Sequence, residues 1–535
     1  MRCPLPEELF TSRVVRRNED GSMVIFTFFI MAMMLIVGGM AVDMMRFENY
    51  RSRLQAALDR SVLAAADLDI CLDPDTNPRD VVEDYIAKAG FDAQLDDVTV
   101  TSGLSDCTIT AAASIEVNTI FMQMVGVDQI STPTAATATE AASAIEISLV
   151  LDSSGSMGWE GRIEALRPAA QAFVTSVMDG YPEGDVSISM VPYSSNISLT
   201  PELAATLNLN YAHDYSYCID PPANPNFFTS TEFDMAASYD QTPHVDPYHW
   251  TNTPGNWDGN RFICDIRPTN VLIPWAGTAD ELTGPIGLLQ PYQNTSIDFA
   301  AKWGVSLLDP TMRPAVDALI AGGQVDAGMS GRPYDYTQTG VIKVMVLMTD
   351  GMNTDYHHFN DQFPRGISDV YYNPITDDWL VPDEGETDDL WPTAGDFVDP
   401  MTGNVIDIST LPMAYLGDFN QLTWNEVFDA VSFDDHAWYF RAGESANTTY
   451  YDWTTALYHR NTTAEKDTDL DAICTAAKDE GIVIFTIGMM VPDHTVPILE
   501  SCASSPSHFY HVADLDVASA FESIARSLTN LQLVH

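Results

Sequence analysis

The sequence is poor in basic residues. Its 535 residues include 24 lysines and arginines against 76 aspartates and glutamates, which gives a formal net charge of −52. Nucleic acids would repel such a chain, so nucleic-acid binding is excluded as a function class. The excess of carboxylates is consistent with surface solvation, with a saline habitat and with divalent-cation binding, and composition alone does not separate these.

The sequence also lacks the short motifs of common catalytic sites. It contains no His-Glu-x-x-His and no phosphate-type glycine loop, and no nucleophile stands in a recognisable motif with a base. Pairs of carboxylates carry no weight as catalytic evidence in a chain with 76 acidic residues. We therefore predict that the protein is not an enzyme.

Cysteine is present without the C-x-x-C spacing of a zinc ribbon. Of the seven cysteines, Cys3 precedes a long apolar run and the other six follow it. Six cysteines allow many connectivities, and pairing in sequence order is the simplest because each bridge then stays within one region. This order pairs Cys71 with Cys107, Cys218 with Cys264, and Cys474 with Cys502. Oxidised cysteines would place this part of the chain outside the cytoplasm.

Residues 22–42 form an apolar run without a charged side chain. At ~1.5 Å per residue the run is long enough to span a bilayer core. No Ala-x-Ala site follows it, so we predict a retained anchor that continues as an amphipathic helix to residue 66, after a cytoplasmic tail over residues 1–21. Arginines flank both ends equally, but the cysteines and the acidic bulk favour export of the C-terminal part.

The surroundings of this run show an ordered pattern. Asp20-Gly21 precedes the run, Val42-Asp43 ends it, and Leu54-Gln-Ala-Ala-Leu-Asp-Arg60 follows. This pattern resembles the N-terminus of TadE/TadG-type proteins of the Tad (tight adherence) pilus assembly system. The resemblance implies a single-pass protein of the bacterial inner membrane, with the bulk of the chain in the periplasm or exposed at the surface. Its partners would be pilus or envelope proteins. The alternative is a generic anchor with an amphipathic stalk.

A second pattern is a strand, a polar turn and a helix. The apolar run 144–151 predicts a buried strand, and Asp152, Ser154 and Ser156 follow at alternate positions before a helical pattern over 162–178. Open α/β sheets hold ligands at the carboxyl ends of their strands. One carboxylate and two hydroxyls suit Mg²⁺ or Mn²⁺ better than zinc.

This Asp-x-Ser-x-Ser turn resembles the metal-ion-dependent adhesion site (MIDAS) of von Willebrand factor type A (VWA) domains. Thr349-Asp350-Gly351 follows the apolar strand 341–348 and matches the family's third loop. Residues 294–298 match its second loop, although the glycine common there is absent. The resemblance implies Mg²⁺, or Mn²⁺ or Ca²⁺, with one coordination position open for a partner's carboxylate. The implied ligands are Asp152, Ser154, Ser156, Thr295 and Asp350. The alternative is a purely structural turn with a serine cap.

The expected fold is therefore α/β. We predict a doubly wound, mostly parallel VWA (Rossmann-like) sheet in residues 144–535, preceded by the transmembrane helix and by a small α+β module over 67–143. Two long insertions, at about 200–268 and 355–462, are rich in Asp, Asn, Pro and aromatic residues and show little periodicity. Their aromatic content argues against disorder, and if both emerge near the metal loops they would form a cap over them.

These patterns predict a membrane-anchored, metal-dependent protein-binding component of Tad/Flp pilus assembly or of envelope adhesion. One alternative is a surface adhesin whose acidic and aromatic insertions bind a glycan or host ligand. Another alternative, from a different class, is a metal-dependent hydrolase with its active site beneath the insertions.

Overall fold

The computed structural model of the chain describes most of its residues and divides it into two compact units. The units are residues 1–141 and 142–535. The predicted cytoplasmic tail lies outside the described residues except for its last two positions. The described residues are 20–71, 76–91, 94–103, 106–222, 224, 226–247, 261–359, 363–382, 396–402, 404–412, 416–440 and 458–529.

Unit 1 is built on one long helix, α1 (Asp20–Ala65), of 46 residues. Its sequence has no proline and is rich in Ala, Leu, Met and Arg, which favour helix. The N-terminal half exposes apolar side chains, and an 18-residue window within Met23–Ala65 has a mean hydropathy of 2.4. By length and composition this helix fits a membrane anchor or a signal sequence.

The C-terminal half of α1 packs on a small α+β layer. Leu54, Leu58 and Val62 are buried at helical spacing, and the Gln55 amide donates to the carbonyl of Ala135 in the sheet. The sheet is antiparallel, in the order β1-β2-β3, and β2 buries alternate side chains. The elements are α2 (Leu68–Cys71), α3 (Pro78–Lys88), β1 (Leu95–Ser102), β2 (Asp106–Asn118) and β3 (Gln129–Ala141), with a short 3₁₀ helix at Met122–Val125.

Unit 2 is organised around a six-stranded sheet in the order β18-β17-β9-β4-β5-β8. The first five of these strands run parallel, and β8 pairs antiparallel with β5 at the edge. The described strands of unit 2, in this sheet and outside it, are β4 (Ala144–Asp152), β5 (Val186–Tyr193), β6 (Leu209–Asn210), β7 (Tyr239–Asp240), β8 (Ile273–Ala276), β9 (Val341–Thr349), β10 (Tyr356–Phe359), β11 (Ile367–Asn373), β12 (Asp378–Pro382), β13 (Asp396–Asp399), β14 (Asn404–Asp407), β15 (Asn420–Thr423), β16 (Tyr458–Asn461), β17 (Val483–Met489) and β18 (Phe509–Val512).

Helices cover this sheet and enclose the core. Val150 and Met345 from the sheet pack with Phe299 and Trp303 of α7, and a Cβ at Gly304 would press against Val150, so α7 lies very close to the strands. Elsewhere Phe173 of α4 contacts Phe521 of α13. The helices are α4 (Arg162–Asp179), α5 (Pro201–Thr206), α6 (Ala279–Leu288), α7 (Ile297–Ser306), α8 (Arg313–Gly322), α9 (Trp424–Ala430), α10 (Phe433–Asp435), α11 (Thr463–Asp479), α12 (Val496–Cys502) and α13 (Val517–Thr529), with a π-helical turn at His436–Phe440.

These elements confirm a mixed α/β protein with an apolar N-terminal helix, and the finer assignment of a doubly wound VWA fold stays a prediction. The second insertion contains structure that the sequence analysis missed. Its described residues form a five-stranded sheet, in the order β14-β13-β12-β11-β15, while β10 pairs with β16. The strands of this sheet are four to seven residues long and carry Asp and Asn, so their alternation is weak in the sequence.

Three disulfides join the six cysteines that follow the apolar run, in sequence order. Cys71–Cys107 links α2 to β2 within unit 1. In unit 2, Cys218–Cys264 closes the first insertion, and Cys474–Cys502 links α11 to α12. Such bridges persist in oxidising compartments.

We expect the double substitution Cys474→Ala/Cys502→Ala to lower the free energy of unfolding by about 3–4 kcal/mol. The bridge closes a loop with a sequence separation of 28, and losing it returns loop entropy to the unfolded chain. Chemical denaturation under oxidising conditions measures the change. Wild-type protein treated with a reductant provides the comparison, and an unchanged denaturation midpoint in the variant would contradict the expectation.

Candidate metal centre

The first candidate ligand stands at the end of β4. All nine residues of Ala144–Asp152 are buried, so the Asp152 carboxylate is held inside the protein. Its Oδ1 accepts the Ser154 N–H at 2.7 Å, and its Oδ2 accepts the Thr349 hydroxyl at 2.8 Å. The carboxylate therefore fixes the backbone of the turn and links it to the end of β9.

The hydroxyls of this turn reach the next candidate ligand. Ser154 Oγ lies 3.1 Å from Ser156 Oγ, and Ser156 Oγ donates to Asp350 Oδ1 at 2.6 Å. Strands β4 and β9 are parallel neighbours, so both end at the same edge of the sheet. The structure thus brings Asp350 to Asp152, Ser154 and Ser156, although Asp350 stands 194 positions after Ser156 in the chain.

Thr295 lies in the segment before α7, and backbone contacts hold this segment against the turn. Gly155 N–H donates to the Gln293 carbonyl at 2.7 Å, and Tyr292 N–H donates to the Ser153 carbonyl at 2.7 Å. Thr295 is buried. It lines a cleft of about 780 Å³ together with Gly155 and Ser156.

Arg162 is a functional candidate that the sequence analysis did not single out. Its Nη1 lies 3.0 Å from Asp350 Oδ2, and its side chain is largely buried. The sequence feature that could have identified Arg162 is its position in the first turn of the helix that follows the Asp-x-Ser-x-Ser turn. Tyr193, whose hydroxyl lies 3.3 Å from Asp152 Oδ2, had no comparable signal.

Burial makes the two carboxylates of the centre costly to ionise. Burial raises the pKa of Asp152, and the nearby charge of Asp350 raises it further. Burial also raises the pKa of Asp350, whereas the Ser156 hydroxyl and the Arg162 guanidinium lower it. A cation bound between these groups would favour their charged forms, because it compensates the negative charge that burial penalises.

The donor set fits a hard divalent cation. Three hydroxyls and two carboxylates supply oxygen atoms only, which suits Mg²⁺, Mn²⁺ or Ca²⁺. Within the part of the chain that the structure describes, no group of three or more His, Cys, Asp or Glu side chains is arranged to hold a metal. The candidate centre is different in kind, since three of its five side chains are hydroxyls and only two are carboxylates.

Lys466 of α11 is a buried cation that organises the neighbouring segments. Its Nζ donates to the Thr295 carbonyl at 3.2 Å, the Ser296 hydroxyl at 2.6 Å and the Thr354 carbonyl at 2.9 Å. It also lies 3.5 Å from Asp298 Oδ1. Burial lowers the pKa of Lys466, while the Asp298 charge raises it. Lys466 therefore fixes the position of the Thr295 backbone relative to Ser296 and Thr354.

Comparison with protein families gives a match at the N-terminus. Residues 21–68 match the family model for Flp pilus-assembly TadE/G-like proteins. The matched segment contains the apolar run and the rest of α1, and it confirms the predicted resemblance of this region. No curated protein matches the chain.

Several solved structures of pilus proteins are similar to this chain at low identity. The vWF domain of the type V pili tip protein Mfa5 from Porphyromonas gingivalis is 16% identical, with a TM-score of 0.32, over 74% of this chain and 99% of that one. The pilus adhesin SpaC from Lactobacillus rhamnosus GG is 12% identical, with a TM-score of 0.30, over 82% of this chain and 35% of that one. The adhesive tip pilin GBS104 from Group B Streptococcus agalactiae is 12% identical, with a TM-score of 0.28, over 72% of this chain and 99% of that one. These scores are too low to carry an argument about fold or function.

We expect Lys466→Met to lower the free energy of unfolding by about 3–5 kcal/mol, because it leaves the Asp298 carboxylate buried without its cation. The matched control is Lys466→Met/Asp298→Asn, which removes both charges and should recover part of the loss. Chemical denaturation of the two variants measures the difference. Equal losses in both variants would show that the ion pair does not matter to stability.

We expect Gly155→Ala to lower the free energy of unfolding by about 1–3 kcal/mol through overpacking. A Cβ at Gly155 would lie 2.9 Å from the Gln293 carbonyl oxygen, a backbone atom that cannot move alone. Gly158→Ala is the control in the same turn, since its Cβ would meet the Pro291 side chain at 3.4 Å, an ordinary contact. Thermal or chemical denaturation compares the two variants, and an equal effect of both would contradict the close approach at Gly155.

Proposed function

We propose that this chain is a membrane-anchored, metal-dependent protein-binding component of Tad/Flp pilus assembly, and that unit 2 is its VWA domain. In this proposal a pilus or envelope protein binds at the cleft beside Ser156 and Thr295. In the same proposal, α1 anchors the chain in the bacterial inner membrane, and the rest of unit 1 after the apolar run lies in the periplasm with unit 2.

One observation carries the proposal. Asp152, Ser154, Ser156 and Asp350 form a connected set of oxygen atoms at the carboxyl edge of a parallel sheet, through the Ser154–Ser156 contact of 3.1 Å and the Ser156–Asp350 hydrogen bond of 2.6 Å. A turn that served only to connect β4 to α4 would not need a second buried carboxylate from the loop after β9. The two carboxyls resist simultaneous ionisation, and Arg162 compensates the charge of Asp350 from one side. A divalent cation between the carboxyls would compensate the charge of both.

The residues have distinct roles in this proposal. Ser154, Ser156 and Thr295 would hold a divalent cation through their hydroxyls, with Asp152 and Asp350 bound directly or through water. Such a cation would supply an open coordination position for a carboxylate oxygen of the partner. Arg162 limits the negative charge around Asp350, and Lys466 keeps the Thr295 segment in place.

The surroundings of the cleft suit a protein partner. Trp159, which lines the cleft, is 65% exposed, and large exposed aromatic side chains are typical anchors of protein interfaces. Arg261 also lines the cleft in a chain that is otherwise strongly acidic. A partner segment that offers a carboxylate would meet positive charge there in addition to the cation.

The membrane part of the proposal has separate support. The family match over residues 21–68 is to pilus-assembly proteins, and the apolar half of α1 is long enough to cross a bilayer. The three disulfides require an oxidising compartment, which favours the periplasm for residues 71–502.

We expect the full chain, purified in detergent, to bind Mg²⁺ or Mn²⁺ in calorimetric titrations, and Asp152→Ala/Ser154→Ala to weaken this binding at least about tenfold, roughly 1.4 kcal/mol. The double substitution removes one carboxylate and one hydroxyl from the centre. The matched control is Asp471→Ala/Ser501→Ala, which removes an exposed Asp–Ser hydrogen bond between α11 and α12.

The outcome separates the functional classes. Binding that is lost only in the Asp152→Ala/Ser154→Ala variant supports the proposed centre, and titrations that are identical in all three proteins reject it. A partner is then sought by metal-dependent capture of pilus components on the wild type. Substrate turnover that depends on Asp152 would instead favour a hydrolase.

A further inference from the structure

The loop between β2 and β3 in unit 1 exposes an unusual amount of apolar surface. Residues 120–127, which we call the hairpin tip, read Ile-Phe-Met-Gln-Met-Val-Gly-Val and carry no charge. Ile120 is 56% exposed, Met124 72%, Val125 51% and Val127 38%. Clustered exposed apolar side chains on a small module mark a surface that something else covers.

The hairpin tip is attached to α1 at the end of its apolar run. The Phe121 ring lies so close to Gly39 that any Cβ at this position would overlap with it. Gly39 stands three residues before Val42, where the uncharged run ends, which is ~4.5 Å along the helix axis. Phe121 of the tip therefore lies beside the last turn of the run.

Asp43 of α1 fixes the tip in this position. Its carboxylate accepts the N–H groups of Ile120 at 3.0 Å, Phe121 at 2.7 Å and Met122 at 2.8 Å. These N–H groups at the start of the 3₁₀ helix have no carbonyl partner in their own turn. Asp43 is almost fully buried, and Arg46 lies 3.6 Å from its carboxylate. The charge is thus compensated locally, and only apolar side chains and Gln123 remain at the surface of the tip.

We propose that the hairpin tip is a second membrane contact. It inserts Ile120, Met124, Val125 and Val127 among the acyl chains of the leaflet from which α1 emerges towards the β1-β2-β3 sheet. This inference rests on the proposed anchoring of α1 in a membrane. Phe121 lies against Gly39 in the last turn of the uncharged run, so lipid that covers this end of α1 would also cover the tip. Unit 1 then has two contacts with the bilayer, and its sheet keeps a fixed orientation to the membrane plane.

Position and charge both favour lipid, and not a protein partner, as what covers the hairpin tip. A protein partner could cover the tip only by reaching the level of Gly39, inside the uncharged run, where acyl chains surround the helix. The first charged residue after the tip is Asp128, which suits the headgroup region. Aliphatic residues and methionine without charge are what the apolar part of a leaflet accepts at low cost.

The test uses the full chain with Cys3→Ser, so that an introduced cysteine is the free thiol. A fluorophore sensitive to polarity is attached at Met124→Cys, and the protein is reconstituted into vesicles of phosphatidylethanolamine and phosphatidylglycerol. Lipids with a nitroxide on the acyl chain serve as quenchers. Met34→Cys, in the apolar half of α1, reports on the anchor, and Val100→Cys, an exposed apolar position of β1, is the matched control in the same unit.

We expect the label at Met124 to show a blue-shifted emission and strong quenching like the label at Met34, while the label at Val100 shows neither. A quenched label at Met34 with an unquenched label at Met124 overturns the inference and leaves the anchor intact. Unquenched labels at both positions overturn the anchor together with the tip. Met124 is exposed, so labelling it does not disturb the core, and the three disulfides do not react with the label.

Discussion

Asp152 ends a strand that is buried along its whole length, and its carboxylate has no access to bulk solvent. A buried carboxylate is stable only when donors surround it. The donors here come from separate segments, namely the Ser154 N–H and the Thr349 and Tyr193 hydroxyls. Satisfying this one group therefore fixes the turn after β4, the end of β9 and a side chain of β5 together. The positions of Ser156 and Asp350 follow from that arrangement.

Unit 1 also contains a buried aspartate that binds a distant segment of backbone, with a different structural result. Asp43 is a buried carboxylate on α1, and it collects three consecutive N–H groups of the β2–β3 loop. In unit 2 the carboxylate holds polar oxygens close to each other, whereas in unit 1 it removes polar groups from a surface that is left apolar. In both cases an aspartate at the end of an apolar run accepts hydrogen bonds that hold separate segments of the chain together. Such an aspartate is informative because its burial costs free energy unless it has this role.

The parts that could be predicted from the sequence are those with a strong local signal. The apolar strands that end at Asp152 and Thr349, the helix from Arg162 and the long helix α1 all show clear periodicity or length. Lys466 shows the limit of such reasoning. It stands between Glu465 and Asp467 in a polar helix, which is the pattern of a solvated face, and only the packing of α11 against α7 buries it. Thr295 was reached through the family resemblance alone, because the backbone bonds between Gly155 and Gln293 leave no mark in the sequence.

The second insertion is long, yet it does not disturb the candidate metal centre, because its two ends are held together. It begins at Asp355, directly after Thr354, whose N–H donates to the Thr295 carbonyl at 3.0 Å. It ends before Thr463, whose N–H donates to Asp355 Oδ1 at 3.0 Å, and β10 pairs with β16 between these points. The two ends of the insertion are thus joined at its base, so the cost of closing the loop grows only slowly with its length. The Thr354 and Lys466 contacts that position Thr295 are made by residues outside the insertion. Changes within the insertion therefore leave these contacts the same.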